Sequence, residues 1–151
     1  MELMFYIAAE GDLSDKAIAV ATMGRYSHVE MRFSDGICFS SSPRDGGTRF
    51  KEIRVNHKHW DICPLPEITQ EQENRIRGWC RTQEGLAYDW KAIICFFLPG
   101  DIHTPNEWYC SEICAVALSY SGHMFKFPKK ISPNEMHKMV VEKTYNSSSN
   151  I

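Results

Sequence analysis

From His28 to Phe33 polar and apolar residues alternate strictly, with Val29, Met31 and Phe33 on one side and His28, Glu30 and Arg32 on the other. A period of two belongs to a strand with one buried face, so the chain is committed to a sheet whose other face carries a histidine and a carboxylate. Asp35-Gly36 follows, a dipeptide suited to the positive φ angles of a hairpin turn, and Ile37 to Ser41 supplies the returning strand. The length of the turn decides the pairing. A two-residue turn sets Ser41 opposite Glu30; a three-residue turn that includes Ser34 sets Ser40 there. Leu3 to Ala9, Phe50 to Val55 and Trp60 to Pro64 complete the expected strands, with Arg44-Asp45-Gly46-Gly47 in a loop from Pro43 to Thr48.

The second half reads as helical. Thr69 and Gln72 form a capping box ahead of Ile76, Trp79 and Cys80, and that helix should end near Gln83. Tyr88 to Leu98 reads as a buried helix stopped by Pro99-Gly100; Tyr88-Asp89-Trp90 is either its start, capped by Asp89, or part of a site. Cys110, Ile113, Cys114, Ala117 and Leu118 fall at i, i+3, i+4, i+7 and i+8, one inward stripe that Gly122 stops. Ser132, Pro133 and Glu135 open a last helix carrying Met136, Met139 and Val140, followed by a disordered tail from Asn146 to Ile151. Ahead of all these, Ser14 is the expected N-cap of a helix to Met23. The expectation is one α+β domain over residues 1–145, a small antiparallel sheet packed against helices.

With 151 residues, 43% apolar and 24% charged, the chain has enough material for one core. A net charge of −2 gives no basic field for nucleic acid or anionic membrane. No uninterrupted apolar run exceeds seven residues, the length of Ala92 to Leu98, against the roughly 20 of a membrane-spanning helix. Glu2 stands where an export signal has basic residues, and Glu10-Gly11-Asp12 where it has small ones. The six cysteines, Cys38, Cys63, Cys80, Cys95, Cys110 and Cys114, sit in apolar patterns, so reduced thiols in the cytoplasm are expected.

Cys110 is the residue with the clearest chemistry. It opens a helix after a polar loop, where unpaired N–H groups and the positive end of the helix dipole favour a thiolate. A cysteine nucleophile needs a base or ion-pair partner, and among six histidines His28 is preferred because it lies on the polar side of its strand beside Glu30. A third group should orient the imidazole. Glu30, Ser40 and Ser41 compete for that role: Glu30 is the only carboxylate on the face of His28, although i, i+2 side chains stand about 7 Å apart. Cys110 and Cys114 with His103 lack the second paired-ligand motif of a metal site, so neither metal nor cofactor is expected.

Tyr26-Ser27-His28-Val29-Glu30, Gly85-Leu86-Ala87-Tyr88-Asp89-Trp90 and Trp108-Tyr109-Cys110-Ser111-Glu112 together resemble the circularly permuted papain-like family. The likeness is to the YiiX-like branch of the NlpC-type hydrolases, related to lecithin:retinol acyltransferase, and it spans about residues 26 to 120. It implies a permuted papain-like fold, Cys110 as nucleophile, His28 as base and Tyr88 near the oxyanion. The family pattern has a glutamate on the strand after the histidine; this chain has Ser40 and Ser41 there and a glutamate at position 30. Ser-His-Val-Glu with Arg-Asp-Gly-Gly is also similar to small phage and prophage proteins, which would place the chain in a virion or a host cell. The implied substrates are peptides, including cell-wall peptides, with lipid acyl groups or thioesters second. A catalytically silent binding module on the same scaffold is the rival from another class.

Overall fold

The computed structural model describes residues 1–13, 15–16, 24–65, 67–94, 104–122, 126–128 and 130–148. Most of the helix expected from Ser14 to Met23, the last four residues of the one expected from Tyr88 to Leu98, Cys95 among them, with its Pro99-Gly100 stop, and also His103, lie outside these residues. Among the described residues the strands are β1 (Glu2–Ile7), β2 (Tyr26–Arg32), β3 (Ile37–Ser42), β4 (Gly47–Glu52), β5 (Trp60–Pro64), β6 (Ala87–Tyr88) and β7 (Glu107–Trp108). They form one sheet in the order β5-β1-β2-β3-β4-β6-β7, antiparallel except for the parallel β6–β7 pair. The helices are α1 (Gln70–Gln83), α2 (Trp90–Ile94), α3 (Cys110–Ser119) and α4 (Pro133–Ser148). The protein is α+β, with a larger sheet than the sequence suggested.

The β2–β3 turn has three residues. Phe33 N–H donates to Ile37 O at 2.9 Å, Gly36 adopts φ +88°, and Met31 pairs with Phe39 and Arg32 with Cys38. Continued, that register sets Ser40 opposite Glu30, but the ladder stops at Met31 and Phe39. At the next rung Val29 O instead accepts the Ser40 hydroxyl at 2.7 Å, and Cys114 Sγ lies 4.0 Å from both Val29 O and Phe39 O. The sheet is therefore open between β2 and β3 on the side from which α3 packs.

The inward stripe of α3, Ile113, Cys114, Ala117 and Leu118, is fully buried against Val29, Met31 and Phe39, with Ile76, Met136 and Val140 closing the core. Each large apolar side chain buried there contributes about 1.5–3 kcal/mol. The capping box of α1 forms as expected, with Thr69 Oγ1 accepting from Gln72 N–H and Gln72 Oε1 from Thr69 N–H. Asn134, in the first turn of α4, accepts Tyr26 N–H at 2.8 Å and donates to Tyr26 O at 2.9 Å, which fixes the start of β2.

Several boundaries move. Strand β1 gives way after Ile7 to a short 3-10 turn, Ala8–Glu10. Strand β4 starts at Gly47 rather than Phe50 because Gly47 and Thr48 pair with Ser42 and Ser41. Gly47 has φ +142° and a Cβ there would lie 1.9 Å from Leu86 O; only glycine lets β4 dock on the turn that leads to Tyr88. Tyr88 is in β6 instead of opening a helix, and Asp89 caps α2 by accepting Ala92 N–H at 2.8 Å. Helix α4 runs to Ser148, past the expected start of the tail at Asn146, since no proline or glycine interrupts it after Pro133. Among the described residues no helix is long and apolar enough to cross a membrane.

Candidate functional site

Cys110 is the first residue of α3 and follows Tyr109, whose backbone is extended (φ −101°, ψ 166°). Its neighbours are tied down on both sides. Trp108 O accepts the Ser41 hydroxyl at 2.6 Å and Asp89 N–H at 3.1 Å. On the other side the Ser111 hydroxyl donates to Ile131 O at 2.7 Å, and Ile131 N–H donates to Tyr109 Oη at 3.2 Å. The thiol is thereby fixed between β3, β6 and the segment entering α4, and only 3% of the residue is exposed.

His28 projects from β2 and interacts with Cys110 on one side and Glu30 on the other. Its Nε2 lies 2.7 Å from Glu30 Oε1. Burial disfavours the imidazolium, but the charge and hydrogen bond of Cys110, and then the hydrogen bond and charge of Glu30, outweigh it and raise the His28 pKa to about 10. Glu30 is 1% exposed on its side chain. Burial opposes its ionisation; His28 and Arg49 more than compensate, and its pKa is lowered. Arg49 grips the carboxylate with Nη1 at 2.9 Å from Oε2 and Nη2 at 2.6 Å from Oε1. Its Nε donates to Asp45 at 2.7 Å, and Asp45 also accepts from Lys51 at 2.8 Å.

The structure therefore brings together Cys110, His28 and Glu30 from the expected set, although Glu30 and His28 sit two residues apart on one strand. The long glutamate side chain closes that gap while Arg49 holds both of its carboxylate oxygens. Ser40 and Ser41 do not take the orienting position: the register turns both hydroxyls to backbone carbonyls, Ser40 to Val29 and Ser41 to Trp108. Tyr88 is buried close enough to Cys110 that, after burial itself, the thiolate charge is the main cause of its raised pKa. A cleft of about 320 Å³ opens beside these groups, lined by His28, Glu30, Tyr88, Arg49, Tyr6 and Trp60 among others. Cys110 is not among the residues that line this cleft.

Asp45 belongs to the Arg44-Asp45-Gly46-Gly47 loop noted in the sequence, of which Arg44 and Asp45 line the cleft, but Arg49 is not singled out there. The signal was the alternation of Arg49 and Lys51 with Thr48 and Phe50, which needs the β3–β4 register, Ser40 with Arg49, before it points at Glu30. The five described cysteines are free. Among the described residues no group of three or more His, Cys, Asp or Glu is placed to hold a metal ion. No protein-family model matches the chain, and no curated protein matches it either.

Proposed function

We propose that the protein is a cysteine hydrolase of the circularly permuted papain-like class that cleaves an amide bond, with Cys110 as nucleophile, His28 as base and then acid, and Glu30 orienting the imidazole. The observation that carries this reading is His28 held between the Cys110 thiol and the Glu30 carboxylate, the latter at 2.7 Å. Glutamate, not serine, fills the third position, and its charge favours the imidazolium that accompanies a thiolate.

In the reaction Cys110 Sγ attacks the amide carbonyl carbon, forming the C–S bond. The C–N bond breaks as the His28 imidazolium gives its proton to the departing amine. Water then adds to the thioester, His28 takes its proton, and the carboxylic acid leaves as the C–S bond breaks. The Cys110 backbone N–H, one of the first-turn groups without an intrahelical acceptor, and the Tyr88 hydroxyl are the donors available to the oxyanion. The rival reading, a binding module on the same scaffold, is favoured by the 3% exposure of Cys110.

Trapping decides between them. Incubation with 4-nitrophenyl acetate followed by acid quench and peptide mapping should find an acetyl group on Cys110, and none in His28→Ala. Acetylation spread over the thiols without preference for Cys110 supports the binding module.

A further inference from the structure

Tyr6 pairs with His28 across β1–β2 and with Trp60 across β1–β5, so three rings form one row on the sheet face that carries Glu30. Trp60 leans back along this row: its ring centroid is 5.0 Å from Tyr6 in an edge-on contact and 6.4 Å from His28. All three rings are half-buried and line the cleft. Helix α3 packs on β2 and β3, so Cys110 reaches His28 from the side opposite Tyr6 and Trp60.

We propose that Tyr6 and Trp60 form the leaving-group subsite and select an amine product whose first residue bears an aromatic or branched apolar side chain. The inference rests on the hydrolase reading above. The imidazole delivers its proton to the departing nitrogen, so that nitrogen must pass over His28 while the acyl carbon stays on the thiol. Whatever is attached to the nitrogen then meets the rings beyond His28. Of the charged groups that line the cleft, Asp15 is paired with Arg44 at 2.5 Å and Asp45 with Arg49 and Lys51, while Glu52 and Arg54 are solvent-exposed, so an apolar side chain fits beside the rings better than a charged one. The cleft volume of about 320 Å³ is at the small end of the roughly 300–1,000 Å³ typical of ligand pockets, which suits one side chain rather than a long acyl tail.

Aminolysis of the acetyl-enzyme tests this without knowledge of the natural acyl group, because a capturing amine occupies the place of the leaving amine. The protein is acetylated with 4-nitrophenyl acetate and offered glycinamide, leucinamide, phenylalaninamide or 1-octanol, and acetylated products are counted against acetate. Phenylalaninamide and leucinamide should capture at least about tenfold more acetyl than glycinamide. Trp60→Phe should keep most of that preference, and Trp60→Ala should bring it within about twofold of unity. Equal capture by all three amides, or a preference that survives in Trp60→Ala, overturns the subsite while leaving the hydrolase standing. Octanol outcompeting every amide assigns the place to a lipid alcohol and also overturns it. Failure to form acetyl-Cys110 at all overturns the hydrolase reading, and the subsite with it. The wild-type ordering decides the matter if Trp60→Ala does not fold.

Discussion

Arg49 holds the Glu30 carboxylate by a two-pronged contact, 2.9 Å to Oε2 and 2.6 Å to Oε1, and shares Oε1 with His28 Nε2, so the acid next to the imidazole is an ion-paired one. Such a fork fixes direction as well as charge. Arg49→Met leaves a buried carboxylate with His28, among the described residues, as its cationic partner and should cost about 3–5 kcal/mol in denaturant unfolding. Arg49→Lys keeps the charge without the fork and should fall in between. Adding Glu30→Gln to Arg49→Met should recover much of the loss, since the stranded charge is then gone; a strictly additive double mutant contradicts the pairing.

Glu30→Gln should bring the His28 titration, followed by NMR, down from about 10, because the hydrogen bond and charge of Glu30 both favour the imidazolium. The main contribution, that of Cys110, remains in this variant, so the shift is partial. Cys110→Ser should lower the His28 value further than Glu30→Gln does. The reverse order would mean that the thiol is not the principal partner.

The two shifts set a pH window for stability. His28 has a folded pKa raised from 6.5 to about 10, so its contribution is full below about 6.5 and is lost as pH rises through about 10. Glu30 has a folded pKa lowered from 4.5, so its contribution is full above that value and is lost as pH falls below it. Unfolding free energy should be greatest between these limits, near pH 5 to 6.5. In His28→Asn the alkaline decline should flatten; an unchanged alkaline limb would contradict the assignment.

What the sequence showed best was local. The alternation around Val29, the capping box at Thr69 and the stripe from Cys110 to Leu118 each rest on neighbours within a few positions, and the structure bears them out. Pairings across long gaps were harder to see. Ser41 could not be assigned to Trp108 O without knowing that β6 and β7 lie beyond β4, nor Arg49 to Glu30 without the length of the Ser34-Asp35-Gly36 turn. In the sequence Tyr88 falls either at a helix start, because Ala92, Ile93 and Ile94 follow it, or in a site. Its two-residue strand exists only through its partners in β4 and β7.

Ser40 and Ser41 should behave as structural residues. Ser41→Ala removes a 2.6 Å bond to Trp108 O and should cost about 1 kcal/mol, with Asp89 N–H still satisfying that carbonyl. Ser40→Ala leaves Val29 O without its hydroxyl donor and should cost about as much. In neither variant should the pH midpoint of Cys110 alkylation move, which separates both from Glu30→Gln; a shifted midpoint would return a serine to the site.

The pairing of Cys110 with His28 is tested most directly by the pH dependence of iodoacetamide alkylation, read cysteine by cysteine by mass spectrometry in wild type and His28→Ala. Burial pushes the Cys38 thiol up to about 12 and Cys63 to about 11, and raises Cys80 and Cys114 as well, so these four should label slowly at pH 6. Cys110 should label first at pH 6 in the wild type and lose that lead in His28→Ala. Labelling of Cys110 at pH 6 that is no faster than that of half-buried Cys63, or that is indifferent to His28, would contradict a working cysteine–histidine pair.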